Sequence, residues 1–261
     1  MNIRKAAVAG YFYPNVRKAL GNLVQNLILK SNEFEYIPKG IIVPHAGYTY
    51  SGPIAAHAYR LIKKISNKIK NVILIGPSHR VLVRGVAISS ADYFETPLGN
   101  IKVNQELCEK IKNLPGVIVD DNAHKEEHSL EVQLPFLQET LNRDINILPA
   151  VINVASPYIV SNFLEEVWGG EETLIIVSSD LSHYLSYEIA KKKDEMTSRA
   201  IMSFDIENIH DDDACGSSAL KGFLIMAKKK DLKPALLDLR NSGDTGSDKD
   251  QVVGYGAFCF I

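Results

Sequence analysis

The sequence predicts an α/β fold with a mostly parallel central sheet flanked by helices, in a single domain spanning residues 1–261. Three apolar runs, residues 41–43, 71–75 and 173–177, are each typical of a strand buried on both faces. Segments with helical periodicity separate these runs, as expected for right-handed β-α-β crossovers. Each run also ends in a polar turn that contains a histidine, which places candidate functional groups at one edge of the sheet.

Helical and strand patterns alternate in the first part of the chain. Apolar residues recur at helical spacing over residues 15–30, and an alanine-rich helical pattern over residues 54–64 connects the first two apolar strands. Residues 85–89 predict another strand, and residues 93–103 predict a hairpin with its turn at 97–100. Because the flanks of this hairpin are not buried runs, we expect an exposed arm.

The same reasoning gives the elements of the remaining chain. Pro135 is expected to kink or delay the helix in which it lies, and Ser156 followed by Pro157 is a good helix start. The predicted helices cover residues 104–114, 129–141, 156–168, 187–204 and 216–229, and the predicted strands cover residues 117–119, 145–152, 173–177, 234–239 and 251–260. A glycine- and aspartate-rich loop, residues 242–250, separates the last two strands.

Composition limits the classes of function. A hydrophobic content of 46%, a charged content of 23% and a net charge of -2 are typical of a soluble globular protein and do not suggest a nucleic-acid-binding surface. No stretch approaches the roughly 20 apolar residues of a membrane span, and the opening residues lack a secretory signal. We therefore expect a cytoplasmic protein. Cys108, Cys215 and Cys259 are odd in number and widely separated, which argues against a disulfide framework or a CxxC zinc module.

Three histidines follow the three apolar strands. His45, His79 and His183 each lie just beyond a strand's carboxyl end, so parallel neighbouring strands would bring their imidazoles into one cleft. Asp180, three residues before His183, is placed to orient an imidazole or to titrate in the same cleft. The alternative is that each histidine is an unrelated structural residue, and that Asp180 is a turn or helix-capping aspartate.

Cys215 lies at the predicted start of a helix, directly after an acidic run. Exposed helix amides favour the thiolate, whereas the carboxylates at residues 211–213 oppose it. A divalent metal would hold the thiolate directly, and two imidazoles with one thiolate or carboxylate form a ligand set typical of catalytic sites. The alternative is that Cys215 is a small buried residue.

Residues 124–128 match the inverted zinc-peptidase motif H-x-x-E-H, with His124 and His128 as zinc ligands and Glu127 as base. Helical periodicity begins only after His128, so we expect His124 to lie off the helix that follows and not to share a helical face with His128. A zinc peptidase is therefore the third choice of function. His128 and Glu131 lie one helical turn apart, and we expect them to point together toward the cleft.

Seven short motifs occur along the chain in a fixed order. They are residues 44–52 (Pro-His-Ala-Gly-Tyr-Thr-Tyr-Ser-Gly), 76–79 (Gly-Pro-Ser-His), 127–135 (Glu-His-Ser-Leu-Glu-Val-Gln-Leu-Pro), 178–183 (Ser-Ser-Asp-Leu-Ser-His), 215–216 (Cys-Gly), 242–244 (Ser-Gly-Asp) and 253–255 (Val-Gly-Tyr). Together these motifs resemble the Memo family (mediator of cell motility). The family looks related to the class III extradiol dioxygenases, which are α/β enzymes that bind non-heme iron(II) through two histidines and one glutamate. The resemblance therefore implies a class III extradiol dioxygenase-like fold.

The resemblance also implies roles for individual residues. His45, His79 and Cys215 correspond to the metal ligands, and His183 with Asp180 corresponds to the acid/base region. Cys215 stands where the dioxygenases have a carboxylate. Fe(II) is the implied metal, with copper or zinc as alternatives because a thiolate favours softer ions. The family further implies a peptide-binding cleft in animal members and association with a radical-SAM protein in prokaryotes.

Two functional hypotheses of different classes follow. The first is metal-dependent redox or oxygen chemistry on a small planar, phenol-like substrate, with His183 moving protons and a pocket shaped by Tyr50, Phe12, His128 and Glu131. The second is a module that binds a peptide or a metal in the same cleft without turnover. The sequence predicts no particular oligomeric state.

Overall fold

The computed structural model describes residues 1–142, 144–246 and 248–261 of the chain. The strands are β1 (Ile3–Arg4), β2 (Gly40–Val43), β3 (Asn71–Pro77), β4 (Val86–Ile88), β5 (Tyr93–Thr96), β6 (Gly99–Val103), β7 (Val117–Val119), β8 (Asn146–Ile152), β9 (Thr173–Ser178), β10 (His183–Leu185), β11 (Pro234–Asn241) and β12 (Val252–Phe260). The helices are α1 (Arg17–Lys30), α2 (Gly52–Lys63), α3 (Gln105–Ile111), α4 (Asp121–Lys125), α5 (Leu134–Thr140), α6 (Pro157–Val167), α7 (Tyr187–Ser203), α8 (Ser217–Lys229) and α9 (Ser242–Thr245).

The strands form one mixed sheet. Its main order is β1-β5-β6-β8-β3-β9-β2-β12-β10, while β11 pairs with β12, β4 with β8, and β7 with β4. The central strands β8, β3, β9 and β2 are parallel, and β12 joins β2 in antiparallel orientation. The prediction of an α/β fold flanked by helices is confirmed. The sheet is mostly parallel only at its centre, because hairpin-like connections such as β5–β6 and β11–β12 lack the helical crossover that parallel pairing requires.

The three strands that carry the predicted site are adjacent. In β9, Ser178 pairs with Val43 at the end of β2, and Val177 pairs with Ile75 of β3. Both neighbours run parallel to β9, so the turns after these strands leave the sheet at the same edge. This confirms the arrangement predicted from the apolar runs.

The hairpin over residues 93–103 is not an exposed arm. Its second strand, β6, pairs in parallel with β8, and its first strand, β5, pairs with β1. Phe94, Thr96, Ile101 and Val103 are buried, whereas Asn100 and Lys102 are exposed. The hairpin therefore extends the sheet with one buried face, which is why its sequence lacks a continuous apolar run.

Several short elements differ from the sequence prediction. Pro135 lies at the first turn of α5, so the helix begins at Leu134 and the delay predicted from this proline is confirmed. The elements β1, β10, α4 and α9 were not predicted, because two to five residues give too little periodicity to recognise. Helix α9 lies in the predicted loop 242–250, of which Ser247 lies outside the described residues.

Two groups of helices pack on the sheet. Helices α1, α2 and α5 contact one another, and α2 also packs on β2 and β12; helix α6 packs against α8, which contacts β3 and β9. The α6–α8 contact is close, since a Cβ on Gly222 would lie 2.4 Å from Val160 Cβ. Within the described residues, no helix combines the length and the apolar character needed to cross a membrane.

Candidate metal centre

A cavity of about 640 Å³ lies beyond the carboxyl ends of β2, β3 and β9. It occupies the position where open α/β sheets place their ligands. Polar and aromatic side chains dominate its wall: Phe12, His45, His79, Arg80, His128, Asp180, His183, Tyr184, Asp211, Asp212 and Cys215. All three predicted strand-end histidines therefore line one cavity.

Three imidazoles form a compact cluster in this cavity. The ring centroid of His45 lies 5.2 Å from that of His79 and 5.5 Å from that of His128, and the His79 and His128 rings stack at 4.6 Å. One donor atom from each of the three residues lies within 4.8 Å of the others, a spacing suited to one metal ion. The sequence analysis places His128 in the pocket wall, and makes it a metal ligand only in the third-choice zinc-peptidase hypothesis.

A buried hydrogen-bond network fixes the tautomer of His45. Ser178 Oγ donates to the Ser129 carbonyl oxygen at 2.6 Å and accepts from Gln133 Nε2 at 2.9 Å. His45 Nδ1 also lies 2.9 Å from Ser178 Oγ. Because the single hydroxyl hydrogen is already donated to Ser129, Nδ1 must carry the proton in the His45 contact. The Nε2 lone pair of His45 is therefore available to a ligand.

Glu127 orients the other two imidazoles. Its Oε1 accepts from His79 Nδ1 at 2.9 Å and lies 3.3 Å from His128 Nδ1. The backbone N–H groups of His128 and Ser129 donate to the same oxygen, and that of His79 donates to Oε2. Burial raises the pKa of Glu127, but the hydrogen bonds from His79 and the backbone outweigh it and lower the pKa to about 2. The ionised Glu127 carboxylate thus orients the His79 and His128 rings through Nδ1, which leaves Nε2 of each ring as the nitrogen for a ligand.

Two of the imidazoles are held in the neutral form. Burial lowers the pKa of His45 well below its ordinary value, and the neighbouring His79 and His128 lower it further. Burial also lowers the pKa of His128 to about 4, although Glu127 opposes this change. Neutral imidazole is the form that binds metal, so the site requires no loss of a proton from these residues near neutral pH.

Cys215 lies beside His45 at the start of α8. Its Sγ is 3.2 Å from His45 Nε2, and its backbone N–H donates to the Asp180 carbonyl oxygen at 3.3 Å. Burial, together with the Asp180 carboxylate, raises the pKa of the thiol. The thiol therefore donates toward His45 Nε2. The three residues whose donor atoms lie within 4.8 Å of one another are His45, His79 and His128. This set contains His128 where the sequence predicts Cys215.

Asp180 and His183 border the histidine cluster. Asp180 Oδ1 accepts the backbone N–H of His45 at 2.7 Å. Burial raises the pKa of Asp180 to about 7, against the hydrogen bonds it accepts from His45 and Ala46. His183 Nδ1 lies 2.8 Å from the Leu181 carbonyl oxygen, so this nitrogen carries a hydrogen and Nε2 is a free acceptor. Burial lowers the pKa of His183, which keeps the ring neutral.

Two residues predicted for the pocket lie elsewhere. Glu131 is fully buried and accepts hydrogen bonds from Arg4, Tyr13 and the backbone of Ala7, so it anchors the N-terminal loop and does not point with His128 into the cleft. Tyr50 is not among the side chains that line the cavity. Its ring lies beside Gly246, where a Cβ atom would be 3.2 Å from Tyr50 Cε1. Phe12 does line it, with its ring 4.7 Å from His128. Arg80, Tyr184, Asp211 and Asp212 are lining residues that the sequence analysis did not assign.

The zinc-peptidase arrangement is not formed. Helix α4 carries His124 but ends at Lys125, so His124 and His128 do not share a helical face. His124 Nε2 donates to the Ala87 carbonyl oxygen at 2.9 Å, and its ring lies edge-on to Phe94. As expected, His124 lies off the helix that follows His128, which begins at Leu134; it lies in the separate short helix α4, and His128 lies between the two helices.

We expect His124 to make the protein less stable in acid. Burial, with Arg4 nearby, lowers the His124 pKa from 6.5 to about 4, although the Ala87 carbonyl raises it. The unfolded chain takes up a proton as the pH falls below 6.5 and the folded chain does not, so the free energy of unfolding falls by about 1.4 kcal/mol per pH unit between these values. Chelator-treated wild type and His124→Gln can be compared by urea unfolding from pH 7 to 4. Parallel pH profiles would contradict the assignment.

Fold and site together define an α/β protein with a histidine cluster in a cavity at the carboxyl edge of its sheet. The chain belongs to the Memo family, since the model of the Memo-like protein family matches residues 4–259. It is 36% identical over 263 residues to a MEMO1 family protein of Thermoplasma volcanium, covering 98% of this chain and 97% of that one. It is 39% identical over 271 residues to a MEMO1 family protein of Aquifex aeolicus, with 100% of both chains covered.

A solved structure also shares the fold. The crystal structure of an uncharacterized protein from Escherichia coli K12 matches with a TM-score of 0.51 and 12% sequence identity. The match covers 86% of this chain and 100% of the other. At this identity the likeness concerns the fold alone.

Proposed function

We propose that the cavity binds one transition-metal ion and uses it for redox or oxygen chemistry on a small planar phenol. His45 and His79 are the first two ligands, and Cys215 or His128 is the third. The observation that carries the proposal is that each of the three imidazoles turns Nδ1 toward a buried serine or glutamate oxygen, so that Nε2 is the nitrogen left for a metal. The group that contacts His45 Nε2 is the Cys215 thiol, itself a candidate ligand. Such outer hydrogen bonds are typical of metal-binding histidines.

The identity of the third ligand bears on the metal. Imidazole ligands suit iron, copper and zinc, whereas a thiolate favours copper(I) or zinc. We propose Fe(II) first, because the family resembles the class III extradiol dioxygenases and because His128 provides a nitrogen close to His45 and His79. Copper and zinc are the alternatives if Cys215 takes the third position, for which its contact with His45 is the support.

When bound, the metal supplies Lewis acidity and one-electron chemistry. The protein binds the substrate in the cavity, where Phe12 offers aromatic surface. His183, whose Nε2 is free, accepts the phenolic proton. Asp180, with its pKa near 7, orients the His45 backbone and carries a proton that it can exchange near neutral pH.

Metal analysis of anaerobically purified variants tests the proposal. We expect His45→Ala and His79→Ala to lose at least about tenfold in affinity for Fe(II), because each removes a ligand whose orientation the protein fixes. His128→Ala and Cys215→Ala identify the third ligand. His183→Ala is the matched control, since it removes a histidine from the same cavity but outside the cluster. Unchanged metal content in both His45→Ala and His79→Ala would contradict the proposal.

An open, charged rim favours a second candidate function, the binding of a peptide without turnover. Arg80, Asp211 and Asp212 lie around the same cavity and can pair with peptide charges. In that case, after removal of metal with a chelator, the His183→Ala variant would bind peptide as tightly as the wild type does. Oxygen consumption that depends on the metal and on an added phenol would favour the first candidate.

A further inference from the structure

Tyr184 occupies a bulge beside the cavity. In the pairing of β10 with β12, His183 lies opposite Val253 and Leu185 opposite Val252, so Tyr184 is an extra residue between two paired positions. Its φ is +58°, in the left-handed region where side chains other than glycine are strained. Bulges next to functional sites commonly redirect a side chain, and here the redirected residue is a large aromatic one.

The Tyr184 side chain is exposed although it lines the cavity. It is 72% exposed, and no hydrogen bond of its hydroxyl is found within the part of the chain that the structure describes. Its ring neighbour is His183, which lies edge-on at 5.8 Å, so the ring has a free face. Phe12, the other aromatic residue of the wall, already contacts His128 at 4.7 Å. Neither packing nor hydrogen bonding accounts for a tyrosine in this strained position.

We propose that Tyr184 is a ligand-contacting residue whose ring stacks on a planar aromatic ligand at the mouth of the cavity. This inference rests on the proposed function, and it adds a residue that selects for flat aromatic substrates. Aromatic stacking is strongest when both rings are held in place, and the bulge fixes the tyrosine backbone. Strain retained at a functional site is a recognised form of such preorganisation.

Binding of catechol to the metal-loaded protein, measured anaerobically by calorimetry, tests the inference. We expect Tyr184→Gly to weaken catechol binding by about 3- to 10-fold, the range that an aromatic pair contributes. Tyr184→Phe keeps the ring, so its affinity should remain within about twofold of wild type. Tyr158→Ala removes a similarly exposed tyrosine that does not line the cavity, and it should leave binding unchanged.

A second measurement separates binding from folding. Glycine adopts φ of +58° without strain, so Tyr184→Gly should unfold at a temperature no lower than wild type and should retain its metal. Equal catechol affinity in wild type and Tyr184→Gly overturns the inference and leaves the proposed function intact. Failure of the metal-loaded wild type to bind catechol overturns the proposed substrate class and this inference with it.

Discussion

Replacing Arg4 with methionine is expected to lower the free energy of unfolding by about 3–5 kcal/mol, the usual cost of removing one partner of a buried ion pair. The Arg4 side chain is 5% exposed and that of Glu131 is 0% exposed. Arg4 also donates from Nε to the His124 carbonyl oxygen at 2.9 Å and from a second nitrogen to the Glu127 carbonyl oxygen. The variant would leave a carboxylate and two carbonyl groups without this donor in the interior.

Urea unfolding of the chelated protein measures this effect. Lys5→Met is the matched control, since it breaks the neighbouring but exposed pair with Glu95, and it should cost no more than about 1 kcal/mol. Arg4→Met combined with Glu131→Gln should cost less than the sum of the single changes, because the second change removes the unpaired charge. A loss in Arg4→Met as small as that in Lys5→Met would show that the buried pair does not stabilise the fold.

The Glu127→Gln variant is expected to bind metal about 10- to 100-fold more weakly than wild type. Glutamine keeps the size of the side chain but replaces one oxygen with an amide nitrogen. In wild type, Oε1 accepts from His79 Nδ1 and Oε2 accepts from the His79 backbone N–H. Whichever oxygen becomes the glutamine NH₂ group, that group would face one of these two N–H donors. The loss of negative charge also makes both imidazoles weaker ligands.

Competition with a chromophoric chelator, with Zn(II) as the probe ion, measures this loss. The adjacent Glu126 is exposed and lines a different cavity, so Glu126→Gln is the matched control and should bind Zn(II) like wild type. A Glu127→Gln affinity within threefold of wild type would contradict the role given to this carboxylate.

The centre of the fold could be predicted because its strands are buried on both faces. Strands β2, β3 and β9 appear in the sequence as continuous apolar runs, and parallel pairing then places the residues that follow them at one edge. The hairpin of β5 and β6 was placed incorrectly, since its one-sided burial resembles that of an exposed hairpin. Pairing partners at a sheet edge depend on contacts that local sequence does not encode.

The candidate site was predictable to a similar extent. His45, His79 and His183 could be assigned from their positions after strands, and Cys215 lies in the same cavity. The H-x-x-E-H motif predicted that Glu127 is a base. In the structure its carboxylate instead contacts Nδ1 of His79 and of His128. The motif could not show this, because the neighbouring His79 comes from a segment 48 positions away. Tyr184 gave no signal, since a bulge has no sequence periodicity.

Strand β12 has a consequence for when the site forms during biosynthesis. Gly254 of this strand donates to the Ser182 carbonyl oxygen and accepts from Leu181, so the segment that ends in His183 is held by a strand that is synthesised much later. Arg4, which precedes all the site residues in the sequence, donates to the His124 and Glu127 carbonyl oxygens. A nascent chain on the ribosome therefore lacks part of this framework until β12 has been synthesised. The cavity proposed to bind a metal should accordingly form only after β12 has left the ribosome.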